Sequence, residues 1–146
     1  MTTATVNNEV VIDAPLEKIF NYVNQPSNLL QIWPSLVEIT NLKLLPNGGY
    51  SYQWKYKVGG IHFSGKGECI EYINNLWLIS RNTGAFDSTV TFTFRAKGNQ
   101  TKVTLTIDYQ LPLRRLTRLG ETIILKMNEK EAKLIMDNLR IIFEQC

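Results

Sequence analysis

The chain has 146 residues, of which 44% are hydrophobic and 20% are charged, proportions typical of globular proteins. We expect a single domain over residues 1–146, large enough to form a core without disulfide or metal cross-links. The 16 Lys and Arg residues against 13 Asp and Glu residues give a net charge of +3, which is too weak to indicate nucleic-acid binding by itself.

The chain shows no sign of targeting to a membrane or to an oxidising compartment. The first ten residues, MTTATVNNEV, lack a basic segment followed by an apolar core, so we expect no secretory signal. No apolar run approaches the roughly 20 residues of a membrane span. We interpret the two cysteines, Cys69 and Cys146, as reduced thiols of a cytoplasmic protein.

The first part of the chain is predicted to form one strand and two short helices. Residues 5–13 read as a strand. Residues 14–23 predict a helix, because Pro15 suits a first helical position and the apolar residues after it follow the i, i+3, i+4, i+7 spacing. Residues 27–33 predict a second short helix that ends before Pro34.

From residue 36 the hydrophobic period changes to two, which predicts six strands joined by hairpins. Their predicted bounds are 36–45, 50–58, 61–73, 76–83, 88–96 and 101–111. Gly65 and Gly67 suggest a bulge or a sharp bend in the third strand of this series. Residues 116–144 then predict one helix about 40 Å long.

This order predicts an α+β fold. A seven-stranded, curved antiparallel sheet would wrap around the long C-terminal helix, with the two short helices between strands 1 and 2. The apolar face of the sheet must be covered, and only the C-terminal helix is long enough to cover it. A curved sheet on one helix leaves a gap, which either side chains or a ligand must fill.

One face of the predicted strand 50–58 is a row of aromatic residues. The row consists of Tyr50, Tyr52, Trp54 and Tyr56. Lys55 and Lys57 point to the opposite face, and neighbouring strands present aliphatic residues that need burial, so we do not expect nucleic acid to stack here. Because buried tyrosine hydroxyls need partners, the row fits an amphipathic cavity better than a dry core.

Two polar residues interrupt the apolar stripe of the predicted long helix. Glu131 and Asn138 fall near the middle of that stripe. A charged residue there must be paired, neutral or hydrated. Two interpretations stay open: both side chains line a cavity, or Glu131 forms a salt bridge with a strand residue or faces solvent.

Four segments taken together carry a family resemblance. They are IDAPLEKIFNYV, WPSLVEI, FSGKGECIEY and the long final helix. In order and spacing they resemble the START-like or SRPBCC superfamily, nearest to its polyketide cyclase/dehydrase and carbon-monoxide-dehydrogenase-subunit-G-like branches. The resemblance implies the helix-grip fold, with a deep apolar cavity between sheet and C-terminal helix. Such proteins bind lipids, sterols, aromatic compounds or polyketides, and a minority catalyse cyclisation or aromatisation or carry an oxygenase centre.

We therefore predict a protein that binds a small hydrophobic molecule, whether a lipid, an aromatic compound or a polyketide-like compound. The predicted ligand-binding residues are Trp33, Tyr52, Trp54, Tyr56, Phe92, Phe94, Leu105, Ile107, Met127, Glu131, Ile135 and Asn138. Within this set, Glu131 and Asn138 would orient a polar end of the ligand.

The alternative is an enzyme, a cyclase or dehydratase that works without a cofactor. Its chemistry needs a shaped cavity and one or two groups for proton transfer, which Glu131, Tyr52, Tyr56 and Arg81 could supply. No acid–base pair stands out, so no catalytic residue is assigned. His62, the one histidine, is expected to face solvent, and two distant cysteines add too few ligands for a metal site.

A third possibility is a partner-binding or membrane-recruitment module without a ligand. Arg114, Arg115 and Arg118 form the one basic cluster of the sequence, near the expected cavity mouth. They could contact an anionic membrane or a ligand carboxylate, although a solvated basic patch is the simpler interpretation.

Overall fold

A computed structural model describes residues 2–58, 60–84, 87–111 and 118–144, without the side chains of residues 2–3, 111 and 118–127. The elements are β1 (Thr2–Ile12), α1 (Leu16–Val23), a 3-10 turn (Pro26–Asn28), α2 (Leu29–Ile32), β2 (Leu36–Leu44), β3 (Tyr50–Val58), β4 (Ile61–Ile73), β5 (Trp77–Gly84), β6 (Asp87–Lys97), β7 (Gln100–Leu111) and α3 (Arg118–Glu144). The second predicted helix is thus a 3-10 turn followed by a single α-helical turn.

The seven strands form one antiparallel sheet in the order β1-β7-β6-β5-β4-β3-β2. This confirms the predicted α+β fold with a curved antiparallel sheet and a C-terminal helix. Strands β1 and β2 lie at opposite edges, although they are consecutive in sequence. The chain between them must therefore cross the sheet, and α1 and α2 lie along that crossing.

The helices divide the apolar face of the sheet between them. The described part of α3 packs mainly against β1, with further contacts to β7 and α2, whereas α1 packs against β6. The Phe20 side chain of α1 is fully buried. Its ring meets Tyr72 at a centroid distance of 5.4 Å and Phe94 at 5.1 Å, both edge to face. The sheet is therefore covered by α1 and α2 as well as by α3.

Gly65 and Gly67 do not form the predicted bulge in the pairing of β3 with β4, and their role is steric. The β3–β4 register runs without a shift from Ser51 to Val58 and pairs Trp54 with Gly65 and Tyr52 with Gly67. A Cβ atom on Gly65 would lie 2.2 Å from Cζ2 of Trp54, and one on Gly67 would lie 2.7 Å from Cζ of Tyr52. The two glycines thus leave room for the aromatic rings of the facing strand.

The bulge of β4 lies further along the strand. The pairing of β4 with β5 shifts between Cys69 and Glu71, so the extra residue is Ile70. Among the described residues, no α-helix combines the length and the hydropathy of a membrane span.

Candidate functional site

A cavity of about 50 Å³ lies between the helix-covered face of the sheet and the segment that links α1 to β2. The lining residues from that segment are Val23, Asn24, Pro26, Leu29, Trp33 and Leu36. The lining residues from the sheet are Tyr50, Tyr52, Trp54, Tyr56, Cys69, Leu78, Ser80, Asn82, Val90 and Phe92. Strands β3 to β6 therefore form the floor, and the crossing chain forms the roof.

The aromatic row of β3 forms the largest continuous part of this floor. The Trp54 ring is buried, with 3% of its surface exposed, and it lies 4.8 Å from the Tyr56 ring at an interplanar angle of 47°. Trp33, at the end of α2, brings its ring to 6.4 Å from Tyr56. Roof and floor thus meet through aromatic contacts around Tyr56.

Two tyrosine side chains of this row, those of Tyr52 and Tyr56, are half-buried. The side-chain hydroxyl of neither residue forms a hydrogen bond with another described residue. Burial, followed by the nearby Cys69 thiol, raises the pKa of Tyr52 to about 12. Burial, followed by the neighbouring Tyr52 and Glu131, raises the pKa of Tyr56 well above its ordinary value. Both side chains therefore remain neutral hydrogen-bond donors over the physiological pH range.

Strands β4 and β5 add further polar groups to the cavity. Asn82 is buried, and its Nδ2 donates a hydrogen bond to Oγ of Ser88 at 3.2 Å. The Cys69 thiol donates to the Glu71 carbonyl oxygen at 3.4 Å, and burial raises the pKa of this thiol. With Ser80, these side chains make one part of the cavity polar without making it charged.

The two polar residues of the α3 stripe form hydrogen bonds with the roof segment. The hydroxyl and backbone N–H of Ser35 both donate to Oε1 of Glu131, the N–H from 3.4 Å. Nδ2 of Asn138 donates to the Ile32 carbonyl oxygen at 3.0 Å. Neither open interpretation of Glu131 anticipated this arrangement, in which α3 is tethered to the end of α2.

The predicted ligand-binding residues fall into three groups. Trp33, Tyr52, Trp54, Tyr56 and Phe92 line the cavity. Phe94, Leu105, Ile107 and Ile135 are buried in the core away from the lining, and Glu131 and Asn138 contact the roof segment from α3. The Met127 side chain lies outside the described residues.

Apart from Trp33, the predicted set did not include the roof residues between α1 and β2, nor the inward side chains of β5. Leu78, Ser80 and Asn82 alternate along β5 and face the cavity. The pairing of Leu78 with Phe92 and of Ser80 with Val90 is the signal that would have identified their face. The sequence of β5 is apolar on both faces of the strand, so its hydrophobic period alone did not show which side chains point toward the cavity.

The remaining candidates lie away from the cavity or outside the described part of the chain. His62 and Arg81 are both exposed. Within the described ranges no three metal-ligating side chains come together. Arg114 and Arg115 lie outside the described residues, and so does the side chain of Arg118.

Alkaline pH tests the burial of the Tyr52 hydroxyl. A free tyrosine ionises near pH 10, so above that pH the unfolded chain releases a proton that the folded protein retains up to about pH 12. The stabilisation is complete below pH 10 and is lost as pH rises through 12. We expect this hydroxyl to reduce the free energy of unfolding by about 1.4 kcal/mol between pH 9 and pH 11.

Urea unfolding at pH 9, 10 and 11 measures this effect. The free energy of unfolding should fall less steeply with pH for Tyr52→Phe than for the wild type. Tyr50→Phe is the matched control, since it removes a hydroxyl that accepts a hydrogen bond from Gln25 at the cavity rim, at 3.1 Å. If the free energy of unfolding changed with pH in the same way for the wild type and Tyr52→Phe, the burial of the Tyr52 hydroxyl would be contradicted.

Residues 3–144 match the family model described as "Polyketide cyclase / dehydrase and lipid transport". The chain belongs to this family. The match covers nearly the whole sequence and confirms the START-like resemblance. Among curated protein sequences, none matches this chain.

Solved structures of other proteins share the fold of this family member. The Zhui aromatase/cyclase from Streptomyces sp. R1128 is 12% identical with a TM-score of 0.83, over 99% of this chain and 95% of that one. A START superfamily protein from Mycobacterium smegmatis is 16% identical with a TM-score of 0.80, over 97% of both chains. A protein from Thermus thermophilus is 21% identical with a TM-score of 0.77, over 98% of this chain and 100% of that one. At these identities the likeness establishes the fold and assigns no activity.

Proposed function

We propose that this protein binds a small hydrophobic ligand in the cavity between strands β3–β6 and the α1–β2 segment. The observation that carries the proposal is the aromatic row of β3 in the cavity lining, where the hydroxyls of Tyr52 and Tyr56 bond no described residue and Nε1 of Trp54 between them is buried without a partner in the described part of the chain. A core that serves packing alone is composed mainly of side chains without polar atoms to satisfy. A ligand with a polar group would supply the missing partner.

The cavity must expand to take such a ligand. At about 50 Å³ it has room for a few water molecules, whereas an engineered apolar cavity that binds benzene measures about 150 Å³. The roof is the part most suited to move, because short elements form it. Lys57 N donates to the Ser35 carbonyl oxygen at 2.8 Å, and the α3 tethers hold Ser35 and Ile32. We expect a ligand to displace Leu29, which precedes these attachments, and Trp33, which lies between them.

The second candidate function is a cyclase or dehydratase, which the family description and the aromatase/cyclase fold bring into consideration. Of the four predicted proton-transfer groups, Tyr52 and Tyr56 line the cavity, whereas Arg81 is exposed and Glu131 binds Ser35. General acids and bases work best with a pKa near the operating pH, and burial moves both tyrosines away from it. These observations support binding over catalysis.

Native mass spectrometry of the gently purified protein, followed by denaturing analysis of whatever is released, tests the proposal. We expect one apolar compound per chain. Ser80→Leu should abolish the bound mass, because a leucine side chain at this lining position occupies much of the cavity. Arg81→Leu is the matched control, since residue 81 is the next along β5 and is exposed.

The outcomes separate the candidate functions. A compound retained equally by wild type and Ser80→Leu would contradict this cavity as the binding site. A wild-type protein that carries no compound and binds no naphthalene-sized probe would favour a module that acts on a partner or a membrane without a ligand.

A further inference from the structure

The cavity contains no charged group among its described lining residues. Its polar members are asparagine, serine, cysteine and tyrosine side chains, and burial keeps Cys69, Tyr52 and Tyr56 protonated by raising the pKa of each. A carboxylate or phosphate that entered this space would lose its hydration without meeting a lysine or arginine of the described lining. Such a transfer is strongly unfavourable.

The nearest acidic group makes an anion less favourable still. Glu131 is close enough to Tyr56 for its negative charge to add to the effects of burial and of Tyr52 in raising the pKa of the Tyr56 hydroxyl. The same field acts on any anion placed beside that hydroxyl, and the interaction is strong where water is excluded. In the described part of the chain, the Glu131 carboxylate accepts hydrogen bonds from Ser35 and forms no salt bridge. No cation there cancels its charge.

The hydroxyls of Tyr52 and Tyr56 are suited to an uncharged polar group. Tyr52 and Tyr56 lie on one face of β3 with Trp54 between them, and Tyr52 is near enough to contribute to the raised pKa of Tyr56. As protonated phenols they donate hydrogen bonds to a carbonyl oxygen and also accept one from a hydroxyl. A buried polar ligand atom without such partners would bind less favourably.

We propose that the cavity selects an uncharged ligand that carries a carbonyl or hydroxyl group, that Tyr52 and Tyr56 hydrogen-bond this group, and that carboxylates of the same shape are excluded. This inference rests on the proposed function and adds the chemical class of the ligand. In this proposal the polar group of the ligand is bound by the tyrosine hydroxyls of β3, whereas from the sequence that role was predicted for Glu131 and Asn138 of α3.

Three probes of nearly equal shape test the selectivity on the full chain. They are 2-acetylnaphthalene, which is a neutral ketone, 2-naphthoate, which is its carboxylate counterpart, and 2-ethylnaphthalene, which has no polar atom. Titration calorimetry at pH 7.5 measures each dissociation constant. We expect the ketone to bind at least roughly 100-fold more tightly than the carboxylate and about 3- to 10-fold more tightly than the hydrocarbon.

Single hydroxyl deletions test the assigned residues. Tyr52→Phe and Tyr56→Phe should each weaken ketone binding by about 3- to 10-fold, whereas binding of the hydrocarbon, which cannot bond a hydroxyl, should not weaken. Tyr72→Phe is the control, because the Tyr72 hydroxyl donates to Oδ1 of Asn74 at 3.4 Å and lies outside the cavity lining. Thermal unfolding of each variant verifies that the fold is retained.

Each result decides a different point. Equal or tighter binding of 2-naphthoate would overturn the selectivity and leave the proposed function standing. A ketone preference that persists in both phenylalanine variants would overturn the role of the hydroxyls. Failure of all three probes to bind would contradict the proposed function itself, and the inference would fall with it.

Discussion

Gly65→Ala is expected to destabilise the protein by about 3 kcal/mol or more. The added Cβ atom would lie 2.2 Å from Cζ2 of Trp54 and 2.3 Å from the Thr83 carbonyl oxygen. The indole could shift, but the carbonyl belongs to the backbone of β5, with which β4 pairs at this point. Relief therefore requires both that the paired strands β4 and β5 separate locally and that the indole of Trp54 shifts. Since small domains are stable by about 5–15 kcal/mol, the loss is a large fraction of the total.

Urea unfolding of Gly65→Ala, Gly60→Ala and the wild type measures this loss. Gly60 has a φ of +82° and no heavy atom within 4 Å of its added Cβ, so its replacement reports backbone strain alone, about 1–2 kcal/mol. In a Trp54→Ala background, Gly65→Ala should cost less by about 1 kcal/mol, because one of its two collisions is gone. Equal costs at positions 60 and 65 would show that the close approach of Trp54 does not matter.

Phe20→Ala is expected to reduce the free energy of unfolding by about 3–5 kcal/mol. Phe20 is fully buried, and its ring joins α1 to the sheet through edge-to-face contacts with Tyr72 and Phe94. Loss of the ring leaves a void in the core that the neighbouring strands cannot close. The consequence extends to the site, because α1 ends in Val23 and Asn24, which belong to the cavity roof.

Phe143→Ala is the matched control. The Phe143 ring makes a similar edge-to-face contact with Tyr22, at 5.4 Å, but its residue is half-buried near the end of α3. Its replacement should cost about 1–2 kcal/mol, since less apolar surface returns to water. Chemical denaturation at neutral pH ranks the two variants. An equal or smaller loss for Phe20→Ala would contradict its place at the centre of the packing between α1 and the sheet.

Local pattern predicted most of the secondary structure because strand and helix periods are properties of short segments. The alternation around Phe92 and around Leu105 predicted β6 and β7 to within a residue at either end. β1 was predicted to begin at residue 5 and begins at Thr2, where it pairs with Leu111. A partner strand extends it, and that partner lies more than 100 residues away in sequence.

Some of the cavity-lining residues could be predicted from the sequence for the same reason. The period of two on β3 places Tyr52, Trp54 and Tyr56 on one face, and they do line the cavity. Phe94 has the same inward orientation on β6, but Phe20 of α1 packs over it. The alternation of residues along a strand predicts the face of the sheet on which a side chain lies. Whether that side chain is packed in the core or lines the cavity depends on which other element covers that face.

The sequence by itself determined the element types, the antiparallel α+β architecture and the face on which each aromatic residue of β3 lies, because all three follow from local periodicity and hairpin turns. Only the tertiary structure decided that β1 and β2 occupy opposite edges, so that the crossing chain forms the roof of the cavity. It also decided that Glu131 and Asn138 hold this roof from α3. These contacts join residues about 100 positions apart, and no local pattern encodes which distant backbone group a polar side chain will meet.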